Sequence, residues 1–145
     1  MPTDAPTTIS STTITYAHNG KRCPLVIDTR TQLEWDAGHA PCAHRLEIQN
    51  DPASVPDILF VLQVLSLVKG DLTHPVQVYC STGDPAGRAV RAQKLLQNEK
   101  WTHVTNAGGW ESGQADAIKK LCDCKRKFAN FVRGTTIKIR KFNCV

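Results

Sequence analysis

The chain of 145 residues is predicted to form one α/β domain with a mostly parallel sheet. Short apolar runs at residues 25–27 and 76–79 have the length and β-branched content of strands that are buried on both faces. Segments with helical spacing separate these runs, as in a succession of βα units. Around Cys80, a strand passes through a tight loop directly into a helix.

The first half of the chain begins with residues 1–12, which are rich in Thr, Ser and Pro and are predicted to be disordered. The elements expected after them are an edge strand at 12–16, a turn at 18–22, a buried strand at 25–27, a short helix at 31–38 and a strand at 45–48. Thr31 and Glu34 have the spacing of a capping box, which predicts where the helix starts.

The second half is predicted to continue the alternation of helices and strands. The expected elements are a helix at 55–69, a strand at 76–80, a helix at 85–98, a strand at 101–106, a helix at 111–121 and a last strand or arm at 135–142. Asp84 and Pro85 have the character of an N-cap and a first helical residue. Gly108 and Gly109 predict a tight turn.

The net charge of +5 is unevenly distributed. Residues 119–145 contain nine Lys or Arg and one acid, whereas residues 1–118 are net acidic. We therefore divide the chain into a disordered segment 1–12, a domain 13–121 and a basic extension 122–145. Such an extension is compatible with a protein or acidic partner, with nucleic acid or with a membrane surface, and a solvated segment is the favoured interpretation. Nucleic-acid binding is only weakly indicated, because phenylalanines are the only stacking side chains there.

The six cysteines and the N-terminus bear on the compartment. The N-terminal residues lack the pattern of a secretory signal, so reduced thiols and a cytoplasmic location are expected. The apolar run at 58–68 is interrupted by polar residues and predicts a core helix, so no membrane association is expected. Cys122 and Cys124 lack the partners of a zinc site, and a thiol relay, a disulfide or spare surface thiols stay open. No metal and no cofactor are expected.

Cys80 is the residue on which the functional prediction depends. It lies where a strand ends and the chain enters a helix N-terminus, whose free N–H groups and dipole stabilise an anion. A thiolate is such an anion, and it is the nucleophilic form of cysteine. The alternative is a buried cysteine that acts as a small apolar side chain.

Four motifs occur in order across roughly residues 22 to 112. They are Val26-Ile-Asp-Thr-Arg30, Glu34-Trp-x-x-Gly-His39-Ala-Pro41, Val78-Tyr-Cys80-x-x-Gly83 and His103-Val-x-Asn-Ala-Gly-Gly-Trp110. Together they resemble the motifs of single-domain rhodaneses. The resemblance implies a rhodanese-like five-stranded, mostly parallel sheet with helices on both faces.

The resemblance also implies a sulfurtransferase of the thiosulfate:cyanide type, with Cys80 as the catalytic residue. Cys80 would take a sulfane sulfur as a persulfide from an anionic donor, either thiosulfate or a thiol persulfide. It would then pass this sulfur to cyanide or to a thiol acceptor. Two half-reactions of this kind give ping-pong kinetics. A monomer or weak dimer is expected.

An anionic sulfur compound must be bound by N–H groups or cations around Cys80. The substrate-binding residues expected in the loop are Ser81, Thr82, Gly83, Asp84 and Ala86, through their amides. The two expected cations are Arg88 and Arg30. Arg88 is the leading cation, with Arg30 or Arg45 as further ones. Asp84 departs from the family, which often has a basic residue near this position, and a carboxylate there repels thiosulfate.

Two other functions compete with sulfur transfer. A cysteine-loop phosphatase or arsenate reductase needs an arginine separated from the cysteine by five residues to bind the oxyanion. That position is Ala86, and Arg88 comes two residues later, which argues against such an enzyme. The second alternative is a catalytically silent rhodanese-like binding module.

Overall fold

The computed structural model describes residues 17–18, 21–48, 56–84 and 87–124. The chain divides into two compact units. One is Pro24–Cys122, which contains Cys80, and residues up to Cys23 and from Asp123 onward belong to the other. The domain boundaries expected from the sequence stay predictions.

The larger unit is built on a parallel sheet of four strands. In chain order, with the short antiparallel pair that precedes them, the strands are β1 Ala17–His18, β2 Lys21–Arg22, β3 Leu25–Asp28, β4 His44–Arg45, β5 Val76–Cys80 and β6 Val104–Gly109. The order in the parallel sheet is β4-β3-β5-β6. This confirms the α/β class and the parallel sheet, and the fifth strand is not seen in the described ranges.

In the described residues, four α-helices and one 3-10 turn lie between or after the strands. They are α1 Gln32–Asp36, α2 Asp57–Leu67, α3 Arg88–Asn98, α4 Ala115–Lys120 and the 3-10 turn Trp110–Ser112. The capping box predicted for α1 is present. The Thr31 hydroxyl accepts from the Glu34 N–H, and the Glu34 carboxylate accepts from the Thr31 N–H. None of the described helices is long and apolar enough to cross a bilayer.

Helices pack on both faces of the sheet because alternate strand residues point in opposite directions. On one face, Val78 and Cys80 belong to an apolar cluster with residues of α2 and α3, among them Phe60 and Leu96. On the other face, Tyr79 packs in a second cluster that contains Ile118 of α4. Cys80 therefore lies under α2 and α3, and its neighbour Tyr79 faces the opposite layer.

Two predicted boundaries are wrong. The N-cap of α3 is Gly87 rather than Asp84, and the helix begins at Arg88. Gly108 and Gly109 continue β6 instead of forming a turn, and the register with β5 shifts after Val78. This shift is a β-bulge, which accommodates an extra residue without ending the strand.

The expectation of reduced thiols is also wrong for four of the six cysteines. Cys23 is bonded to Cys124, and Cys42 is bonded to Cys122. In each disulfide the two cysteines are far apart in sequence, so no local sequence pattern predicts which cysteines pair. Cys122 lies in the cluster with Tyr79, on the face opposite Cys80, which argues against the thiol relay left open above.

Some predicted elements lie outside the described residues. These are the disordered segment 1–12, the edge strand at 12–16 and the last strand at 135–142. The strand expected at 45–48 is reduced to His44–Arg45, and Ile48 is buried beyond its end.

The Cys42–Cys122 disulfide closes a loop with a sequence separation of 80 residues. A cross-link over such a distance restricts the unfolded chain and stabilises the fold by about 4 kcal/mol in the chain-entropy account. We expect the double substitution Cys42→Ala, Cys122→Ala to lower the free energy of unfolding by about this amount, as measured by urea denaturation of the oxidised proteins. Reduced wild type is the control, and equal stabilities of variant and oxidised wild type would contradict a stabilising cross-link.

Candidate active site

Cys80 is the last residue of β5, a strand that lies between β3 and β6. Its position at the carboxyl end of an inner parallel strand is where ligands bind in open α/β sheets. The residue is only 3% exposed, and its thiol donates to the backbone oxygen of Thr82 at 2.8 Å. Among the described cysteines it is the only one with a free thiol.

Gly87 brings the start of α3 close to the sulfur. Its N–H donates to the backbone oxygen of Asp84 at 2.8 Å, which closes the loop before the helix. A Cβ atom at position 87 would lie 2.9 Å from that oxygen and 3.5 Å from Cys80 Sγ. Only a residue without a side chain permits this approach, which explains why the cap falls on Gly87 and not on Asp84.

Some backbone groups of the Cys80 loop form hydrogen bonds within the protein, and others are available to a ligand. The backbone oxygen of Ser81 accepts from the Glu111 N–H at 2.8 Å, which attaches the loop to the turn after β6. For the N–H groups of Thr82 and Gly83, the described part of the chain offers no acceptor. Both residues are exposed, so a ligand at the loop can reach their amides.

Glu34 binds both sides of the Cys80 loop. Its two carboxylate oxygens accept from the two terminal nitrogens of Arg88, each at 2.8 Å. The same carboxylate accepts from the Ser81 hydroxyl, and Arg88 Nη2 is 3.2 Å from that hydroxyl. The network joins the start of α1, the residue after Cys80 and the first residue of α3. The capping-box spacing predicts only the local role of Glu34, and its place in a family motif is the signal for this second one.

This network changes the electrostatics expected from the sequence. The hydrogen bonds from Arg88 hold the pKa of Glu34 well below its ordinary range, against the opposing effect of burial. The same hydrogen bonds raise the pKa of Arg88. Arg88 therefore lies at the loop with its charge neutralised by the Glu34 carboxylate.

Arg30 is buried in an ion pair with Asp28. It is 1% exposed and bonds Asp28 through two nitrogens, with its Nη2 also donating to the backbone oxygen of Gly38 at 2.6 Å. Its guanidinium lies over the rings of Tyr79 and Trp110. Burial lowers the pKa of Arg30, but the hydrogen bonds and charge of Asp28 outweigh this and raise it. These contacts account for Arg30 without a bound donor.

The remaining candidate site residues are Asp84, Ala86 and Arg45. Asp84 is exposed, and its backbone oxygen closes the turn to Gly87. Ala86 lies outside the described residues. Arg45 donates to the backbone oxygen of Arg30 and to Glu47. The described residues contain no cluster of three His, Cys, Asp or Glu side chains that could hold a metal ion.

Comparison with known protein families decides what this arrangement is. The Rhodanese-like domain matches residues 11–116, which is most of the chain. The chain belongs to the rhodanese-like family. The match extends beyond the stretch that carries the four motifs, and it includes the Cys80 loop and both helices that Glu34 joins.

Solved structures similar to this rhodanese-like protein share little sequence with it. A Rhodanese_3-like domain from Anabaena is 19% identical over 66% of this chain and 92% of its own, with a TM-score of 0.45. The protein SSP1007 from Staphylococcus saprophyticus is 24% identical over 74% of this chain and 89% of its own, with a TM-score of 0.41. The human single-domain sulfurtransferase TSTD1 is 16% identical over 80% of this chain and 91% of its own, with a TM-score of 0.43. No curated protein matches this sequence significantly.

Removing the charge of Glu34 tests the network in this rhodanese-like domain. We expect Glu34→Gln to lower the free energy of unfolding at pH 7 by about 2 kcal/mol, the worth of hydrogen bonds to a charged group. Because folding depresses the pKa of Glu34, this difference is present above the unfolded value of about 4.3 and is lost as the pH falls further. Urea denaturation between pH 3 and 7 measures it.

Asp36→Asn on the exposed side of the same helix is the matched control for this measurement. Asp36 accepts a hydrogen bond only from the Gln32 side chain, so its substitution is expected to have little effect. A Glu34→Gln effect no larger than that of Asp36→Asn would show that the network does not stabilise the loop.

Gly109 allows the Cys80 loop to pack against the end of β6. A Cβ atom there would lie 2.6 Å from Thr82 Cα and closer still to the Thr82 carbonyl carbon and the Ser112 hydroxyl. We expect Gly109→Ala to push the loop away and to cost about 1–3 kcal/mol of stability, as overpacked sites do. Urea denaturation measures the loss. Adding Ser112→Ala removes the contact with the hydroxyl only; full recovery in that double variant would exclude the loop contact as the cause.

Proposed function

We propose that the protein is a sulfurtransferase that carries sulfane sulfur as a persulfide on Cys80. One observation carries the proposal, namely a free thiol at the carboxyl end of an inner parallel strand, with the start of α3 packed beside the sulfur. Membership of the rhodanese-like family supports the same assignment. A helix N-terminus and the amides of Thr82 and Gly83, which have no acceptor among the described residues, suit an anion, and both thiolate and persulfide are anions at this position.

The reaction has two half-reactions. In the first, the Cys80 thiolate attacks the sulfane sulfur of the donor, the S–S bond of the donor breaks, and the donor leaves as a thiolate, or as sulfite in the case of thiosulfate. In the second, a thiolate or cyanide attacks the outer sulfur of the persulfide, and the electron pair of the broken bond returns to Cys80 Sγ. The N–H groups of Thr82 and Gly83 would hold the anionic group throughout.

The charges at the loop favour a thiol persulfide over thiosulfate as the donor. Arg88 is neutralised by Glu34, so its guanidinium offers a bound donor little positive charge. The dianion thiosulfate gains little from such an environment, whereas the reacting group of a thiol persulfide carries only one negative charge. The thiosulfate:cyanide type of activity is therefore the less supported version of the proposal.

A catalytically silent binding module is the second candidate. It is supported by the 3% exposure of Cys80 and by the hydrogen bond from its thiol to Thr82. In that case Cys80 is a small packing residue at the end of a strand, which is a common role for free cysteine.

Other expectations from the sequence stay predictions within this proposal. These are the basic extension 122–145 as a site for a protein or acidic partner, and a monomer or weak dimer. A cytoplasmic location is also a prediction, and the two disulfides weigh against it because reducing compartments keep thiols unpaired.

Intact-mass measurement after incubation with glutathione persulfide tests the proposal. We expect a gain equal to one sulfur atom, its loss on treatment with cyanide, and its absence in Cys80→Ser. Thiosulfate under the same conditions is expected to load the protein more slowly.

Cys144→Ser is the control, because Cys144 is the cysteine whose state the described residues leave open. This variant should load as wild type does. A wild type that gains no sulfur from either donor would favour the silent module, and a gain that disappears in Cys144→Ser would move the carrier away from Cys80.

A further inference from the structure

Helix α2 has an apolar face that the sheet does not cover. Phe60 and Val64 are fully buried in the cluster with Cys80. On the other side, Ile58, Leu59 and Leu62 are 58%, 50% and 50% exposed. Residues three and four positions apart are neighbours on a helix surface, so these three side chains form one patch. We refer to Ile58, Leu59 and Leu62 as the α2 apolar face.

The first residue of α2, which directly precedes this face, is bonded to the first turn of α3. Arg91 is in the first turn of α3 and forms an ion pair with Asp57, the first residue of α2. Ile58 and Leu59 follow Asp57 directly. The first turn of α3 is the one that the Cys80 loop enters through Gly87, so the patch and the thiol flank the same helix start.

The charges near this helix start are paired. Arg88 is held by Glu34, and Arg91 is held by Asp57. On the other flank of the loop, Leu33 of α1 is exposed next to Glu34. The surroundings of the thiol thus combine neutralised arginines with exposed leucine and isoleucine side chains, which suits an apolar protein surface better than a small dianion.

We propose that the α2 apolar face docks the sulfur acceptor, a protein whose reactive cysteine is surrounded by apolar side chains. The proposal rests on the proposed function. Three half-exposed side chains make a patch of a few hundred Å² at most, below the roughly 800 Å² per partner of a stable complex. The face is therefore too small for a permanent dimer and has the size expected for a transient encounter, as sulfur transfer requires.

The transfer step is balanced without a further reactant. The thiolate of the acceptor attacks the outer sulfur of the Cys80 persulfide and forms a new S–S bond. The bond between the outer sulfur and Cys80 Sγ breaks, and its electron pair remains on Sγ as a thiolate. The acceptor leaves with the sulfane sulfur as its own persulfide, and no net oxidation occurs.

A synthetic helical peptide with one cysteine flanked by leucines is the probe, and the same peptide with serines in place of the leucines is its control. Persulfide-loaded protein is mixed with each peptide, or with dithiothreitol, and the rate of sulfur transfer is followed. We expect the leucine peptide to react about tenfold faster than the serine peptide, the gain that burial of a leucine side chain provides.

The double variant Leu59→Ser, Leu62→Ser should lose this preference and keep the rate with dithiothreitol. Leu67→Ser is the matched control, because Leu67 is also exposed but lies about 7.5 Å beyond Leu62 along the helix, further from its N-terminus. It should retain the preference. Circular dichroism shows whether the variants are folded.

Several outcomes would overturn the docking proposal. These are a loaded wild type that does not distinguish the peptides, a double variant that keeps the preference, or one that is folded but slow with dithiothreitol as well. A wild-type dimer in sedimentation that the double variant abolishes would assign the face to a second copy. A wild type that takes up no sulfur from glutathione persulfide would overturn the proposed function itself.

Discussion

The arrangement around Cys80 depends on the carboxylate of Glu34. This single group satisfies the guanidinium of Arg88, the hydroxyl of Ser81 and the amide and hydroxyl of Thr31. Three separate segments of the chain therefore meet at one charge. An ion pair with this many hydrogen bonds in a partly buried place holds its partners more firmly than an exposed pair does. The loop between Ser81 and Arg88 is constrained at both ends by this contact.

Small residues set how closely the loop can approach the sheet and the helix. Gly87 allows the first turn of α3 to lie against the sulfur, and Gly109 allows the Thr82 backbone to pack against the end of β6. In both places a single Cβ atom would meet backbone atoms, which cannot rotate away as a side chain can. Catalytic use of a strand-end thiol demands such close packing, since the donors of a helix start act over short distances.

The two faces of the sheet contain different kinds of groups. The face with α2 and α3 contains Cys80, whereas the opposite face contains the Cys42–Cys122 disulfide, the Asp28–Arg30 pair and the stacked rings of Tyr79 and Trp110. His39 stacks on Trp35, and its Nδ1 lies 2.9 Å from the Trp35 backbone oxygen. The Cys80 thiol and the Cys42–Cys122 disulfide are therefore on different faces, because adjacent strand residues such as Tyr79 and Cys80 point in opposite directions.

Features that depend on local physical chemistry could be predicted from the sequence. The apolar runs predicted the parallel strands, and the spacing of Thr31 and Glu34 predicted the start of α1. The motif around Cys80 predicted that the thiol lies at the end of a strand. The tertiary structure alone decided the partner of Arg88, the burial of Arg30, the bulge in β6 and the pairing of four cysteines. Each of these joins residues from distant parts of the chain or depends on the space between packed elements. Neither propensity nor periodicity carries that information, because both describe only neighbours in sequence.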